Sequence, residues 1–207
     1  VFSESAIDDQ IGMRLVEGIY GKSLVREELQ GLRVRGVNAL FRTLESVVKR
    51  LHYRSFADAL VVIADSDNCD VHDATHDGSQ QRCRHCRLER EISRIKRELR
   101  RVEGRPPFEI ALVVATPSIE AWLVDGGSNC RSETAWRQAR SRGVDAVSEI
   151  KQMKELAYGS TGLRNSPIRL ARGLEHVEQL LERIDVVRAA FPDSFGRFVE
   201  AVRSWPK

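Results

Sequence analysis

The chain predicts an α/β protein, with a parallel-rich sheet flanked by helices and a helical C-terminal part. Three observations carry this. Ala59 to Asp65 is an apolar run of strand length that stops at a carboxylate, with Asp67 one residue further on. Phe108 to Ala115 (F-E-I-A-L-V-V-A) is a second run of the same kind. Neither alternates as a half-wet strand would, so each reads as buried on both faces. Segments of helical period lie around them, and such alternation builds a sheet covered by helices.

Taken in order, Val1 to Ser5 predicts a short strand ending at Glu4. Ala6 to Tyr20 predicts a helix with Ser5 as N-cap, Asp8 and Asp9 in the first turn, and Ile7, Ile11, Leu15 and Ile19 on one face. Gly21 ends it. Leu32 to Arg35 predicts a second strand, and Asn38 to Tyr53 a strong helix carrying Leu40, Leu44, Val47, Val48 and Leu51. Asn68 to Arg82 is polar and without period, so it reads as a loop or insertion. Leu88 to Val102 predicts a charged helix, broken by Gly104 and Pro106-Pro107. Pro117 stands where a helix N1 proline belongs, ahead of Ser118 to Leu123. The last third predicts helices over Ser132 to Arg142, Val147 to Leu156, Ile168 to Ile184 and Phe195 to Trp205. The division expected is a core over 1–125, with a Cys/His insertion at 68–87, and a helical extension of the same domain over 126–207.

With 207 residues, 42% of them apolar and 30% charged, the chain can bury a full core. No apolar run approaches membrane-spanning length and no secretory leader is visible, so no membrane partner is expected and the cytoplasm is the expected compartment. A net charge of +3 does not by itself indicate nucleic acid. Arginines crowd Arg82 to Arg101, but Glu89, Glu91, Glu98 and Glu103 are interleaved. A salt-bridged, solvated helix face is the better reading there, with phosphate contact the lesser one.

The carboxylates carry the chemistry. Glu4 falls at the end of the first expected strand, Asp65 and Asp67 at the end of a later one, and Glu120 in the first turn of the helix after the Phe108 to Ala115 run. In parallel sheets these positions lie on one carboxyl edge, where ligands bind. Hard oxygen donors gathered there suit Mg2+ or Mn2+ and phosphodiester cleavage. Each residue also has an ordinary role: a surface charge, a favourable first-turn acid, or the cap of the next element.

The order Glu4, then Ile63-Ala64-Asp65-Ser66-Asp67, resembles the Toprim fold of topoisomerases, primases and the nuclease half of overcoming-lysogenization-defect proteins. Thr116-Pro117-Ser118-Ile119-Glu120-Ala121-Trp122-Leu123 and Pro192-Asp193-Ser194-Phe195-Gly196-Arg197-Phe198 look like the I-E-A-W-L and terminal helices of a bacterial Toprim-related family. That resemblance implies a metal-dependent nuclease, pairing of Glu120 with the two aspartates, and association with ATPases of the OLD or ABC type in defence against phage. The chain departs from the Toprim pattern in Glu4-Ser5-Ala6-Ile7-Asp8, which lacks the turn glycine, and in Asn68-Cys69, where a glycine would follow the aspartates. Lys151, Lys154 and Arg169 are the candidates for the lysine that some such nucleases use.

Cys69-x2-His72 is followed after ten residues by Cys83-x2-Cys86. Two short-spaced ligand pairs joined by a polar loop match a closed structural Zn2+ site, with His72 as fourth ligand and His76 the alternative. A thioredoxin-like unit around the C-x-x-C is not evident. Cys130 reads as an ordinary thiol, His52 and His176 as structural, and Trp122 as core. Gly159-Ser160-Thr161-Gly162 with Arg164 lacks the G-K-[ST] of a P-loop and reads as a plain loop.

The function expected is therefore a Mg2+- or Mn2+-dependent endonuclease acting on DNA or RNA through Glu4, Asp65, Asp67 and Glu120. The alternative is a non-catalytic Toprim-like partner or sensor of an ATPase. Oligomeric state is left open.

Overall fold

Strand β1 (Ala59–Asp65) pairs in parallel with β2 (Glu109–Ala115), in a register that sets Ala59 opposite Glu109 and Asp65 opposite Ala115. β1 is apolar up to Asp65 because it faces two cores. Leu60, Val62 and Ala64 enter one cluster; Val61 and Ile63 enter the other. Both runs thus end on one edge, as their sequence pattern predicts.

The structure is a computed structural model describing residues 1–29, 35–73, 75–105, 108–124, 129–159 and 166–206. The expected strand at Leu32 to Arg35 falls almost wholly outside the described residues. Among those described, the sheet has two strands, so the fold is mixed α/β with a small parallel sheet. Val1 to Ser5 does not form a full strand. Phe2 alone bridges to Val62, its N–H donating to Val61 O at 2.8 Å and its carbonyl accepting from Ile63 N at 3.0 Å. Four residues later a helix begins, which ends the pairing.

Helices α1 (Ala6–Tyr20) and α2 (Val37–Arg54) precede the sheet. Ser5 caps α1 by accepting from Asp8 N, and Gly21 closes it in the left-handed conformation, φ 77°. Gly12 lets α1 lie close on the sheet: a Cβ there would meet Ile63 Cδ1 at 2.5 Å. α3 (Arg84–Glu98) links β1 to β2. It starts a turn earlier than the spacing predicts and stops before Leu99, whose backbone is extended. Leu88, Ile92 and Ile95 of α3 pack with Leu40, Leu44, Val47 and Leu51 of α2 on one sheet face. On the polar side, Arg94 bonds to Glu45, Glu91 and Glu98, and Lys49 to Glu45. Much of the charge on this helix is therefore paired.

After β2 come α4 (Glu120–Leu123), α5 (Glu133–Ser141), α6 (Ala146–Tyr158), α7 (Ser166–Glu182), α8 (Ile184–Ala190), a π-helical turn (Pro192–Gly196) and α9 (Arg197–Arg203). Pro117 is not at N1: it lies in the bend before α4, whose first residue is Glu120. α8 is unheralded by the sequence pattern. The helix expected from Phe195 begins as the π turn, where Gly196 N reaches back to Phe191 O at 2.8 Å. Phe195, Phe198, Val199 and Val202 share one core with Val61, Ile63 and Val113. The C-terminal helices thus cover the second sheet face together with α1. No helix of the described residues is long and apolar enough to cross a membrane.

Candidate acidic pocket and metal centre

β1 ends at Asp65, and the turn after it is tied to the turn after β2. Ser66 N donates to Ala115 O at 2.7 Å and Asp67 N to Pro117 O at 2.9 Å. Asp67 takes φ 47°, a left-handed conformation that aspartate tolerates better than most side chains. The turn therefore forms without the glycine that the Toprim pattern carries one residue later.

Asp65 is nearly enclosed. Its Oδ1 accepts from Ile119 N at 3.0 Å, at the start of α4, and its Oδ2 lies 3.7 Å from Lys154 Nζ. Burial, then the charges of Glu120 and Asp8, push its carboxyl well above the usual range. Glu4 Oε1 accepts from Asp65 N at 3.1 Å, so the Phe2 segment and β1 deliver these two side chains to the same edge. Burial raises the Glu4 carboxyl, against the pull of Arg84. Glu120 is 2% exposed, and its Oε2 has no hydrogen-bond partner. Asp67 is the most open of the four.

Arg84 and Lys154 bring positive charge to this edge. Arg84 Nη1 lies 3.3 Å from Glu4 Oε1 and 2.9 Å from Asp67 Oδ2, and also donates to the Asp65 carbonyl. Lys154 is on α6, where Ile150, Met153, Ala157 and Tyr158 line the buried side. Against burial, which lowers it, Glu120, Asp65 and Asp8 together raise the Lys154 ammonium. Of the three basic candidates in the sequence, Lys154 is the one beside the aspartates. Lys151 is exposed, and Arg169 lies over the Tyr158 ring at 5.2 Å.

The sequence reads Asp8 as a first-turn charge of the helix and as the end of the Glu4-to-Asp8 turn, not as a site residue. In the structure it belongs to the pocket: burial, then Glu120, raise its carboxyl to about 7. Tyr158, fully buried with an unpartnered hydroxyl, is pushed well above its ordinary value by burial and then by Glu120. The available signal was placement. Asp8 sits one turn before Ile11 and two before Leu15, and Lys154 one turn before Tyr158, so each charge lies on an apolar stripe.

A second centre lies behind the first turn of α3. His72, His76, Cys83 and Cys86 present donor atoms that all lie within 4.8 Å of one another. Cys86 Sγ is 3.5 Å from His72 Nδ1 and 3.7 Å from His76 Nδ1; Cys83 Sγ is 3.6 Å from His72 Nδ1. A tetrahedral zinc ion, with Zn–S about 2.3 Å and Zn–N about 2.0–2.1 Å, holds sulfur and nitrogen roughly 3.5 Å apart. The four side chains could hold a structural zinc. Cys69 is outside this group; His76 takes the place that the sequence spacing assigns to it.

The surroundings suit neutral imidazoles and protonated thiols. Burial, then the neighbouring His85, lower the His72 imidazole to about 4, and burial raises the Cys83 thiol to about 11. The His85 ring stacks on His72 with centroids 4.0 Å apart. Arg137 donates to the His72 carbonyl at 2.7 Å, and Arg197 Nη1 lies 3.1 Å from His72 Nε2. Among the described residues, this is the one set of three or more His, Cys, Asp or Glu donors so converged; the carboxylates of the acidic pocket are not. The pocket carboxylates are hard oxygen donors, and the unpartnered Glu120 oxygen fits a cation by its chemistry.

Comparison with protein-family models, with curated proteins and with solved structures finds no match to this chain.

Proposed function

We propose that the acidic edge is the active site of a divalent-metal-dependent nuclease on a Toprim-like fold, with the His/Cys cluster as a structural zinc clip. The observation that supports this reading most is the gathering of Asp65, Glu120 and Asp8 around Lys154 at the carboxyl end of β1. Buried carboxylates repelling one another are costly to keep unless a ligand uses them. Asp65 and Asp67, with Glu4 and Glu120, would hold Mg2+ or Mn2+. Such an ion, when bound, supplies a polarised phosphate and a more acidic water. Lys154 opposes the rise of the Asp65 carboxyl and adds positive charge where a phosphate would approach.

The substrate in this reading is DNA or RNA and the compartment the cytoplasm. The test incubates plasmid, linear DNA and RNA with Mg2+ or Mn2+, wild type beside Asp65→Ala and Asp67→Ala. Cutting that needs the ion and both aspartates is expected. A folded wild type that cuts none of them with either ion overturns the reading for this chain.

Arg84 favours a second reading. Its guanidinium is already paired with both Glu4 and Asp67. A non-catalytic subunit serving an ATPase would keep such a closed charge network. In that case calorimetric titration finds no Mg2+ or Mn2+ binding that Asp65→Ala abolishes.

A further inference from the structure

The two centres share one turn of helix. Cys83 is the N-cap residue of α3, Arg84 its first residue, and Cys86 lies in its first turn. The thiols of Cys83 and Cys86 face His72 and His76, while the guanidinium between them reaches Glu4, Asp67 and the Asp65 carbonyl. The loop bearing the two histidines starts directly after Asp67 and meets α3 through the Asp70–Cys83 bridge and through Arg90 Nη1, which donates to the Ser79 carbonyl at 3.4 Å. Downstream, Leu88, Ile92 and Ile95 hold the body of α3 in the core. Its first turn is held by side-chain contacts instead: the four donors, Arg84, and Arg87 over the Phe41 ring at 4.6 Å. An ion on the four donors would bind that turn to the loop.

We propose that zinc at His72, His76, Cys83 and Cys86 seats Arg84 against Glu4 and Asp67, making Arg84 a positioning residue through which the zinc clip sets the geometry of the acidic pocket. This rests on reading the four donors as a zinc site, and it holds whether or not the pocket is catalytic. The side chain is 8% exposed and bridges two carboxylates and a carbonyl, so a shift of the helix start breaks all three contacts together.

Linkage makes the idea testable from the metal side. If zinc favours the seated Arg84, the seated Arg84 favours zinc by the same factor. Arg84→Met and Asp67→Asn should therefore weaken binding at a centre to which neither residue gives a donor atom. The probe is Co2+, whose thiolate charge-transfer band reports the cysteine site alone, titrated against a chelator in the full chain. We expect each single variant to lose about tenfold in affinity, a coupling of about 1.4 kcal/mol. The double variant should be no worse than Arg84→Met, because that change already removes the Asp67 contact. Arg94→Met, also on α3 but away from the pocket, should leave the affinity unchanged.

Affinity within twofold of wild type in Arg84→Met overturns the coupling while leaving the zinc site standing. Additive losses in the double variant overturn it too. Absence of a thiolate band in the wild type removes the zinc reading itself. Should Arg84→Met fail to fold, Asp67→Asn and Glu4→Gln carry the same comparison.

Discussion

Lys154 Nζ lies 3.7 Å from Asp65 Oδ2, and it answers a concentration of negative charge that α1, β1 and α4 deliver to one place. Removing the ammonium leaves Asp8, Asp65 and Glu120 without it. Lys154→Met is expected to cost about 1–3 kcal/mol at neutral pH, less than a fully buried pair because the lysine is partly exposed. The loss should shrink as pH falls and the carboxyls take up protons. Urea denaturation at pH 5 and pH 8 checks this; an equal loss at both would separate the lysine from the carboxylates.

Asp8 makes stability depend on pH. Its carboxyl stands at about 7 in the fold, from an ordinary 3.8, with burial and then Glu120 as the causes. A raised carboxyl means that the folded chain binds the proton more tightly than the unfolded one. Its contribution is fully present below the unfolded value and is lost as pH rises through about 7. Asp8→Asn should flatten the decline in melting temperature over that window. It should gain on wild type at pH 8 relative to pH 4.5. A variant whose melting profile runs parallel to wild type would contradict the burial of this charge.

The metal centre separates two ligand sets that spacing alone cannot. His76→Ala is expected to lose zinc, whereas Cys69→Ser retains about one ion per chain. Elemental analysis of the purified variants reads the result. Retention in His76→Ala with loss in Cys69→Ser would restore the set predicted from spacing.

Glu133 holds the π turn. Only 1% exposed, it accepts from Asp193 N at 3.0 Å and from Ser194 N at 2.7 Å. Glu133→Ala strands two backbone donors and should cost about 2–5 kcal/mol; Glu133→Gln, which keeps one acceptor oxygen, should cost less. Equal unfolding midpoints for the two variants would argue that the hydrogen bonds contribute little.

Much of the architecture was legible because its signals are local. The first helix, Ala6–Tyr20, has the bounds predicted by its Ser5 cap, apolar stripe and Gly21 stop. β1 and β2 follow from unbroken apolar runs, and the paired charges of α3 from its interleaved signs. The π turn and α8 were not legible, since both depend on Phe191, Phe195 and Phe198 meeting the sheet face from far along the chain.

What the sequence by itself determined is a pair of buried strands, the first ending at Asp65, the helices around them, and a loop rich in thiols and imidazoles. Period, caps and ligand spacing are written over a few neighbouring residues. Only the tertiary structure decided which charges meet. It brought Lys154 and Asp8 to Asp65, put His76 rather than Cys69 beside the thiols, and set Arg84 between the two centres. Those partners lie on different elements, and a chain pattern of period two or 3.6 carries no information about which elements will pack together.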